Sequence, residues 1–342
     1  MYVLVQEGSP VALDVKDKRI LLALSENARK PYTDIARKVG LSPEGVKYRI
    51  ARLREQNVLL GARTVISFSR LGLTSYHIFL SMHPPDAKTE TALVRFLQSR
   101  HEVNAVLQYL GKWDYEIAVA TRTPQEFDDF RSALMQEFPR AQDEQFSMII
   151  APVAGTSLPA RIFPGIGKDR IGRTEECKEP FALDEVDTRL LMAIGENADS
   201  SILDIMAHTK LSRDQVSYRM RRLQDEGVIV EFRPIINYGA LGYSMHAVLL
   251  RLQARDAKRE RTLASYLRNH AAVIWAARTI GSLDMIIYII SKNPSDFHTS
   301  IGDLRVRFGD LIKSYETLIA YKEHKYTWRA SGDTHSIAHN KK

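Results

Sequence analysis

Apolar residues between 13 and 60 recur at helical spacing in three stretches: Ile20, Leu21 and Leu24, then Ile35, Val39 and Leu41, then Val46, Ile50 and Leu53. The spacing predicts three short amphipathic helices. Between the second and third stands Gly40-Leu41-Ser42, where glycine supplies the left-handed residue that ends one helix and Ser42 caps the next, with Pro43 at its first position. A helix, a tight turn and a helix make a helix-turn-helix unit, whose second helix can lie in a DNA major groove. β-Branched residues then alternate over 58–67, interrupted at Gly61, and read as a short wing.

Beyond residue 76 the period changes. The pattern predicts a strand at 76–82, a helix at 87–100, a strand at 103–110, a turn at Gly111-Lys112-Trp113-Asp114, a strand at 115–121, a helix at 124–137 and a strand at 146–151. That β-α-β-β-α-β order is the ferredoxin-like split unit, a four-stranded antiparallel sheet covered by helices on one face only. The other face, through His77, Phe79, Val106 and Gln108 or their immediate neighbours, must bury itself against something. A second such sheet in the same chain would serve.

A second unit is present. Leu13-Asp14-x-x-Asp17-x-Arg19 recurs 170 residues later as Leu183-Asp184-x-x-Asp187-x-Arg189, and Glu26-Asn27-Ala28 recurs as Glu196-Asn197-Ala198. The register holds through Leu41-Ser42 and Leu211-Ser212, Val46-x-Tyr48-Arg49-x-x-Arg52-Leu53 and Val216-x-Tyr218-Arg219-x-x-Arg222-Leu223, Gly111-x-x-Asp114 and Gly281-x-x-Asp284. Such a period fits a duplicated domain pair, not a solenoid. The expected organisation is α+β: winged helix-turn-helix at 13–68, ferredoxin-like ligand and oligomerisation domain at 74–151, linker at 152–182, second winged helix-turn-helix at 183–238, second ferredoxin-like domain at 244–328, and a disordered tail at 329–342.

Charge sharpens the picture. The chain of 342 residues carries a net +7, and 13–60 holds 11 Lys/Arg against 6 Asp/Glu while 64–150 holds 8 against 11. On a helical wheel Val46, Ile50 and Leu53 point inward, placing Glu44, Tyr48, Ala51 and Arg52 outward with Lys47, Arg49 and Arg54 on the flanks. Cationic flanks suit phosphate contact while the N-terminal residues, Ser42 and Glu44 among them, approach base edges. In the second copy the corresponding helix carries Ser212, Arg213, Ser217, Tyr218, Arg219, Arg221 and Arg222, and Ser212 with Gln215 forms a capping box. Lys210 replaces the turn glycine there, and 183–230 holds 6 Lys/Arg against 9 Asp/Glu, so different sequence preference is expected from the second reader. Arg63 and Arg233 coincide in the two wings, either touching phosphates or standing as solvated edge charges.

The motifs Leu-Asp-x-x-Asp, Leu-Ser-x-x-x-Val-x-x-Arg-x-x-x-Leu, Leu-Gly after the wing and Gly-x-x-Asp in the sheet turn make the chain resemble two fused copies of the Lrp/AsnC, or feast/famine, family of transcription regulators, over 13–150 and 183–322. The resemblance implies double-stranded DNA as partner and a small effector, such as an amino acid, bound near the sheet turns. Carried over, it makes Gly111, Asp114, Gly281 and Asp284 the rim of effector sites; otherwise glycine simply permits the turn and aspartate satisfies local amides. It implies a homo-oligomer or, given the fusion, an intrachain pseudo-dimer with two unlike recognition helices.

Other chemistry is thinly supported. The longest apolar runs, such as 285–290, fall short of the roughly 18 residues of a membrane span, so a cytoplasmic, nucleoid-associated protein with no membrane partner is expected. The single Cys177 permits no internal disulfide and no Cys-rich zinc finger. The histidines form no two-ligand motif, His335 and His339 being four apart only in the tail, so neither metal nor other cofactor is expected. Trp113 either lines a pocket or packs at an interface. The same architecture also resembles siroheme decarboxylases, but their His-Asn-Tyr-x-Arg and Leu-Trp-Phe stretches correspond here to Val103-Asn104-Ala105-Val106-Leu107 and Tyr115-Glu116-Ile117-Ala118. A sequence-specific regulator, and not an enzyme, is the expectation; a tetrapyrrole enzyme and a non-specific nucleoid-compacting protein are the alternatives.

Overall fold

The computed structural model describes residues 2–4, 9–83, 86–166, 179–195, 197–253 and 256–327. The tail at 329–342, Cys177 and 167–178 of the expected linker lie outside the described residues. After a two-residue strand β1 (Tyr2–Val3) come α1 (Val15–Glu26), α2 (Tyr32–Val39), α3 (Pro43–Glu55) and β2 (Leu59–Ile66). The first ferredoxin-like unit follows as β3 (Thr74–Met82), α4 (Ala87–Ser99), β4 (Val103–Leu110), β5 (Tyr115–Thr121), α5 (Pro124–Glu137) and β6 (Ala141–Gly155). The second copy repeats the order as α6 (Glu185–Gly195), α7 (Ile202–Thr209), α8 (Arg213–Asp225) and β7 (Ile229–Ile236), then β8 (Ser244–Leu252), α9 (Ala257–Asn269), β9 (Val273–Gly281), β10 (Met285–Ser291), α10 (Pro294–Phe308) and β11 (Ile312–Tyr326). The fold is α+β, with two winged helix-turn-helix and two ferredoxin-like units.

Local chemistry sets the boundaries. Ser42 accepts from the Gly45 N–H at 3.1 Å, and Ser212 and Gln215 form the reciprocal capping box. The turn residue is left-handed in both copies, Gly40 at φ 68° and Lys210 at φ 56°. Pro124 and Pro294 open α5 and α10 behind the caps Thr123 and Asn293.

The sheets do more than face one another. Their strands run in the order β1-β11-β4-β5-β3-β6-β9-β10-β8, and β11 also pairs with β8, so all but β1 close into a ring. Closure comes from β6 and β11, each 15 residues long against a typical five or six or so. β6 pairs with β3 over 141–148 and then with β9 of the second unit over 147–155. β11 pairs with β8 over 312–319 and then with β4 of the first unit over 319–326. A closed ring leaves no long sheet edge to recruit another chain.

Inside the ring sit His77 and Phe79, as the alternation required. On β4, cross-strand pairing puts Leu107 opposite the inward Glu116 and Val106 opposite Ile117. Leu107 and Tyr109 therefore face the second unit, while Val106 packs with Leu93, Leu97 and Phe130 under the helices. The region after 151 is also more ordered than a linker reading allows. β6 runs to Gly155, and Leu158, Ile162 and Phe163 are buried in the main core.

Candidate nucleic-acid interface

Each third helix is fastened to the first helix of its own unit. Asp14 and Asp17 cap α1 reciprocally, and Asp17, with no exposed surface, also receives Arg49 Nη1 at 2.8 Å and Arg52 Nη2 at 2.5 Å. Arg49 Nη1 reaches Asp14 at 2.6 Å as well. The second copy repeats the cluster: Arg219 Nη1 lies 2.7 Å from Asp184 and 2.8 Å from the fully buried Asp187, which also pairs with Arg222. Burial pushes the Asp14 and Asp184 carboxyls up, but hydrogen bonds from the arginines and the Asp17 and Asp187 N–H groups outweigh it and hold both below the ordinary carboxylate range.

The residues expected at a DNA surface therefore divide. Ser42, Glu44, Lys47, Tyr48, Ala51 and Arg54 are exposed on α3 and its cap, as are Ser212, Arg213, Ser217, Tyr218 and Arg221 on α8. Tyr48 and Tyr218 occupy the same position and are each 68% exposed. Arg49, Arg52, Arg219 and Arg222 are half-buried and turned back onto the aspartates. The wheel places Arg52 on the outer face and Arg49 on its flank, with the second copy expected to follow; this is corrected, because all four long side chains reach inward to a buried carboxylate that needs cations. Asp17 and Asp187 were the missing half of the pattern. An aspartate one turn before the apolar Ile20 and Leu21, kept in register in both copies, was the signal.

The wings are not free edges. β2 and β7 pair antiparallel with Arg63 directly opposite Arg233. Of the two readings left open for these arginines, phosphate contact and a solvated edge charge, neither describes the structure: Arg63 pairs with Glu323 at 3.1 Å and stacks over Tyr326 at 3.8 Å, and Arg233 pairs with Glu231. Each wing strand also supports the other copy's helices, since the Ala28 N–H donates to Phe232 O at 2.9 Å and the Ala198 N–H to Ala62 O at 3.2 Å. Arg29 Nη1 donates to Ala198 O at 2.6 Å and Ser200 O at 2.8 Å, and Arg54 pairs with Asp199 at 2.8 Å. A β-ladder and these bridges fix α3 and α8 relative to one another.

The two sheet turns lie at the seams of the ring. Asp114 Oδ2 accepts from the Met82 N–H at 2.8 Å, and Asp284 Oδ2 from the Leu252 N–H at 2.8 Å, closing the end of a neighbouring strand in each unit. A Cβ on Gly111 would come 2.8 Å from Leu318 Cδ2, and one on Gly281 2.8 Å from Phe146 O. Trp113 is buried at the first seam and donates to Glu316 at 2.9 Å. Inside the ring Glu116 accepts from Tyr109 at 2.5 Å and from Tyr288 of the second unit at 2.6 Å, with His77 Nδ1 at 2.5 Å. Burial and this carboxylate push both tyrosine hydroxyls well above their ordinary range. Among the described residues no group of three His, Cys, Asp or Glu could hold a metal, and no helix is long and apolar enough to cross a membrane.

Residues 13–54 match the AsnC-type helix-turn-helix domain, and 183–230 match a winged helix-turn-helix DNA-binding domain. The HTH-type transcriptional regulator FL11 of Pyrococcus horikoshii is 30% identical over 145 residues, 42% of this chain and 93% of that protein. The proline dehydrogenase transcriptional activator of Rhodobacter capsulatus is 34% identical over 119 residues, 34% of this chain and 75% of that protein. Among solved structures, the siroheme decarboxylase NirDL superposes with a TM-score of 0.59 over 91% of this chain and 93% of its own, at 12% identity. That last likeness is one of fold.

Proposed function

Because the chain belongs to the Lrp/AsnC family of helix-turn-helix transcription regulators, we propose that it is a sequence-specific regulator whose single chain grips double-stranded DNA with two recognition helices. Residues 13–68 and 183–238 are the readers, and 74–151 and 244–328 the ligand and assembly domains. The observation that carries the reading is the pair of exposed helices α3 and α8, each bearing an outward tyrosine and a serine cap, joined through the β2–β7 ladder. Capped helix N-termini and the exposed cations Lys47, Arg213 and Arg221, outside any ion pair among the described residues, suit phosphates and base edges. Arg49, Arg52, Arg219 and Arg222 support the reading indirectly, by holding the helices. The protein then works as a cytoplasmic, nucleoid-associated regulator and not as an enzyme.

Effector sensing is the second part of the proposal. The turns Gly111–Asp114 and Gly281–Asp284 lie where the two ferredoxin-like units join, so a small molecule such as an amino acid bound there would act on that seam. Gly111, Asp114, Gly281 and Asp284 would shape that site through the backbone they hold.

Titration of the best duplex from a random pool against a scrambled duplex, at one fixed salt concentration, tests the function. A regulator prefers its site by roughly 10³-fold or more. Equal affinity for both duplexes would replace the reading with non-specific compaction. Tight stoichiometric uptake of a tetrapyrrole, seen in the Soret region, would replace it with the decarboxylase alternative.

A further inference from the structure

We propose that the two recognition helices read different half-sites and that Ala51 and Arg221, which occupy equivalent positions, set the difference. The inference rests on the regulator reading above. Comparing α3 with α8 position by position separates framework from reader. Val46 and Val216, and Leu53 and Leu223, are buried and identical, and Arg49 and Arg52 match Arg219 and Arg222 in the aspartate clusters. Tyr48 and Tyr218 are identical, and Glu44 is matched by Asp214, so part of the exposed face is common to both. The same face then diverges at Lys47 against Ser217 and at Ala51 against Arg221, all four exposed.

Arg221 differs in kind from its neighbours Arg219 and Arg222. Its side chain makes no ion pair, hydrogen bond or ring contact among the described residues, so its guanidinium is available, whereas theirs are held by Asp184 and Asp187. Positions 217, 218 and 221 lie on one helical face, being three and four residues apart. Arginine at such a position pairs in bidentate fashion with O6 and N7 of guanine, while alanine accepts the methyl of thymine and carries no donor. In α3 the exposed cation outside an ion pair among the described residues sits instead at Lys47, one turn nearer the N-terminus, Arg54 being held by Asp199, while α8 also carries the exposed Arg213 where α3 has Pro43. Two helices whose cations occupy different positions cannot both be satisfied by one repeated half-site. The β2–β7 ladder always presents one of each, so the operator under a single chain combines a guanine beneath Arg221 with a non-guanine beneath Ala51.

The test is selection of bound fragments from a random duplex pool with the full-length chain, its Arg221→Ala variant and its Ala51→Arg variant. Guanine and thymine versions of the winning duplex are then competed at fixed salt. Wild type is expected to return two unlike half-sites. Arg221→Ala should lose roughly 10- to 100-fold of guanine preference at one position of one half-site and leave the other untouched. Ala51→Arg should make the half-sites more alike. A palindrome from wild type, or Arg221→Ala weakening every duplex equally as a lost phosphate contact does, would overturn the inference while the regulator reading stands. No enrichment by wild type would instead remove the reading beneath it.

Discussion

Nη2 of Arg52 lies 2.5 Å from Oδ2 of Asp17, a carboxylate with no exposed surface. The two ends of the strongest repeat in the sequence, Asp-x-x-Asp and Arg-x-x-Arg, are thus the halves of one fastening, built once in each copy. Much of what the two third helices share, Val46 and Val216, Leu53 and Leu223 and the arginine pairs, holds them in place.

This relationship separates two kinds of basic residue. Asp17→Ala leaves Arg52 without its carboxylate and Arg49 with Asp14 alone, and should cost about 3 kcal/mol, read as a lower midpoint in urea unfolding. Arg52→Ala should lower the same midpoint. Lys47→Ala should leave it unmoved and instead flatten the salt dependence of DNA affinity by about one unit in log–log slope. If Lys47→Ala unfolds the protein and Arg52→Ala does not, the division is wrong.

A buried histidine gives stability a pH dependence of definite sign. Burial pulls His246 down to about 4, where it stacks on Phe297 with ring centroids 4.0 Å apart and meets Ser291 Oγ at 2.9 Å. Between about 4 and the ordinary 6.5 or so the unfolded chain binds the extra proton, so stability rises with pH across that window and falls on acidification. The first unit carries Tyr76 at the same position, stacked on Phe127 at 3.9 Å. His246→Tyr should therefore keep the stack and shrink the drop in melting temperature between pH 7 and pH 5. His324, also held down to about 4 by burial, should preserve part of that drop.

Tyr288 donates across the ring to Glu116, joining the second unit to the first. Tyr288→Phe removes that bond while Tyr109 and His77 keep the carboxylate partnered, so a loss of about 1 kcal/mol is expected in equilibrium unfolding. Tyr48→Phe, at an exposed ring, should cost nothing measurable by the same assay.

The two sheet-turn glycines should respond unequally to alanine. On Gly281 the new Cβ would meet the Phe146 carbonyl and the Ser147 Cα at 3.1 Å, both backbone atoms of the adjoining strand. On Gly111 it would meet the Leu318 side chain, which can turn aside. Both also sit at positive φ, 128° and 145°. Thermal unfolding should show Gly281→Ala the more destabilised, by more than about 1 kcal/mol; equal midpoints would count against the seam contact.

Much of this was legible in the chain. Apolar spacing located the helices, and Ser42, Ser212 and Gln215 marked where two of them begin. The β-α-β-β-α-β order followed from the change of period. What stayed hidden was non-local. No local rule says that the last fifteen residues of each unit will be divided between two sheets, because the second half of β6 alternates no differently whether its partner is β9 or solvent. Nor does a helical wheel show that an arginine it places outward will reach a carboxylate 35 positions away, as Arg52 and Arg222 do. The parity of β4 was likewise decided by its neighbour, through Leu107 opposite Glu116.

The ladder between β2 and β7 is closed within one polypeptide, and this removes a concentration from the problem. Two separate subunits must first find each other, so their paired form disappears as copy number falls and occupancy varies with a higher power of abundance. Here the tether supplies the encounter at an effective concentration independent of how many molecules are present. A few molecules diluted into a large volume would still each carry both helices, already paired.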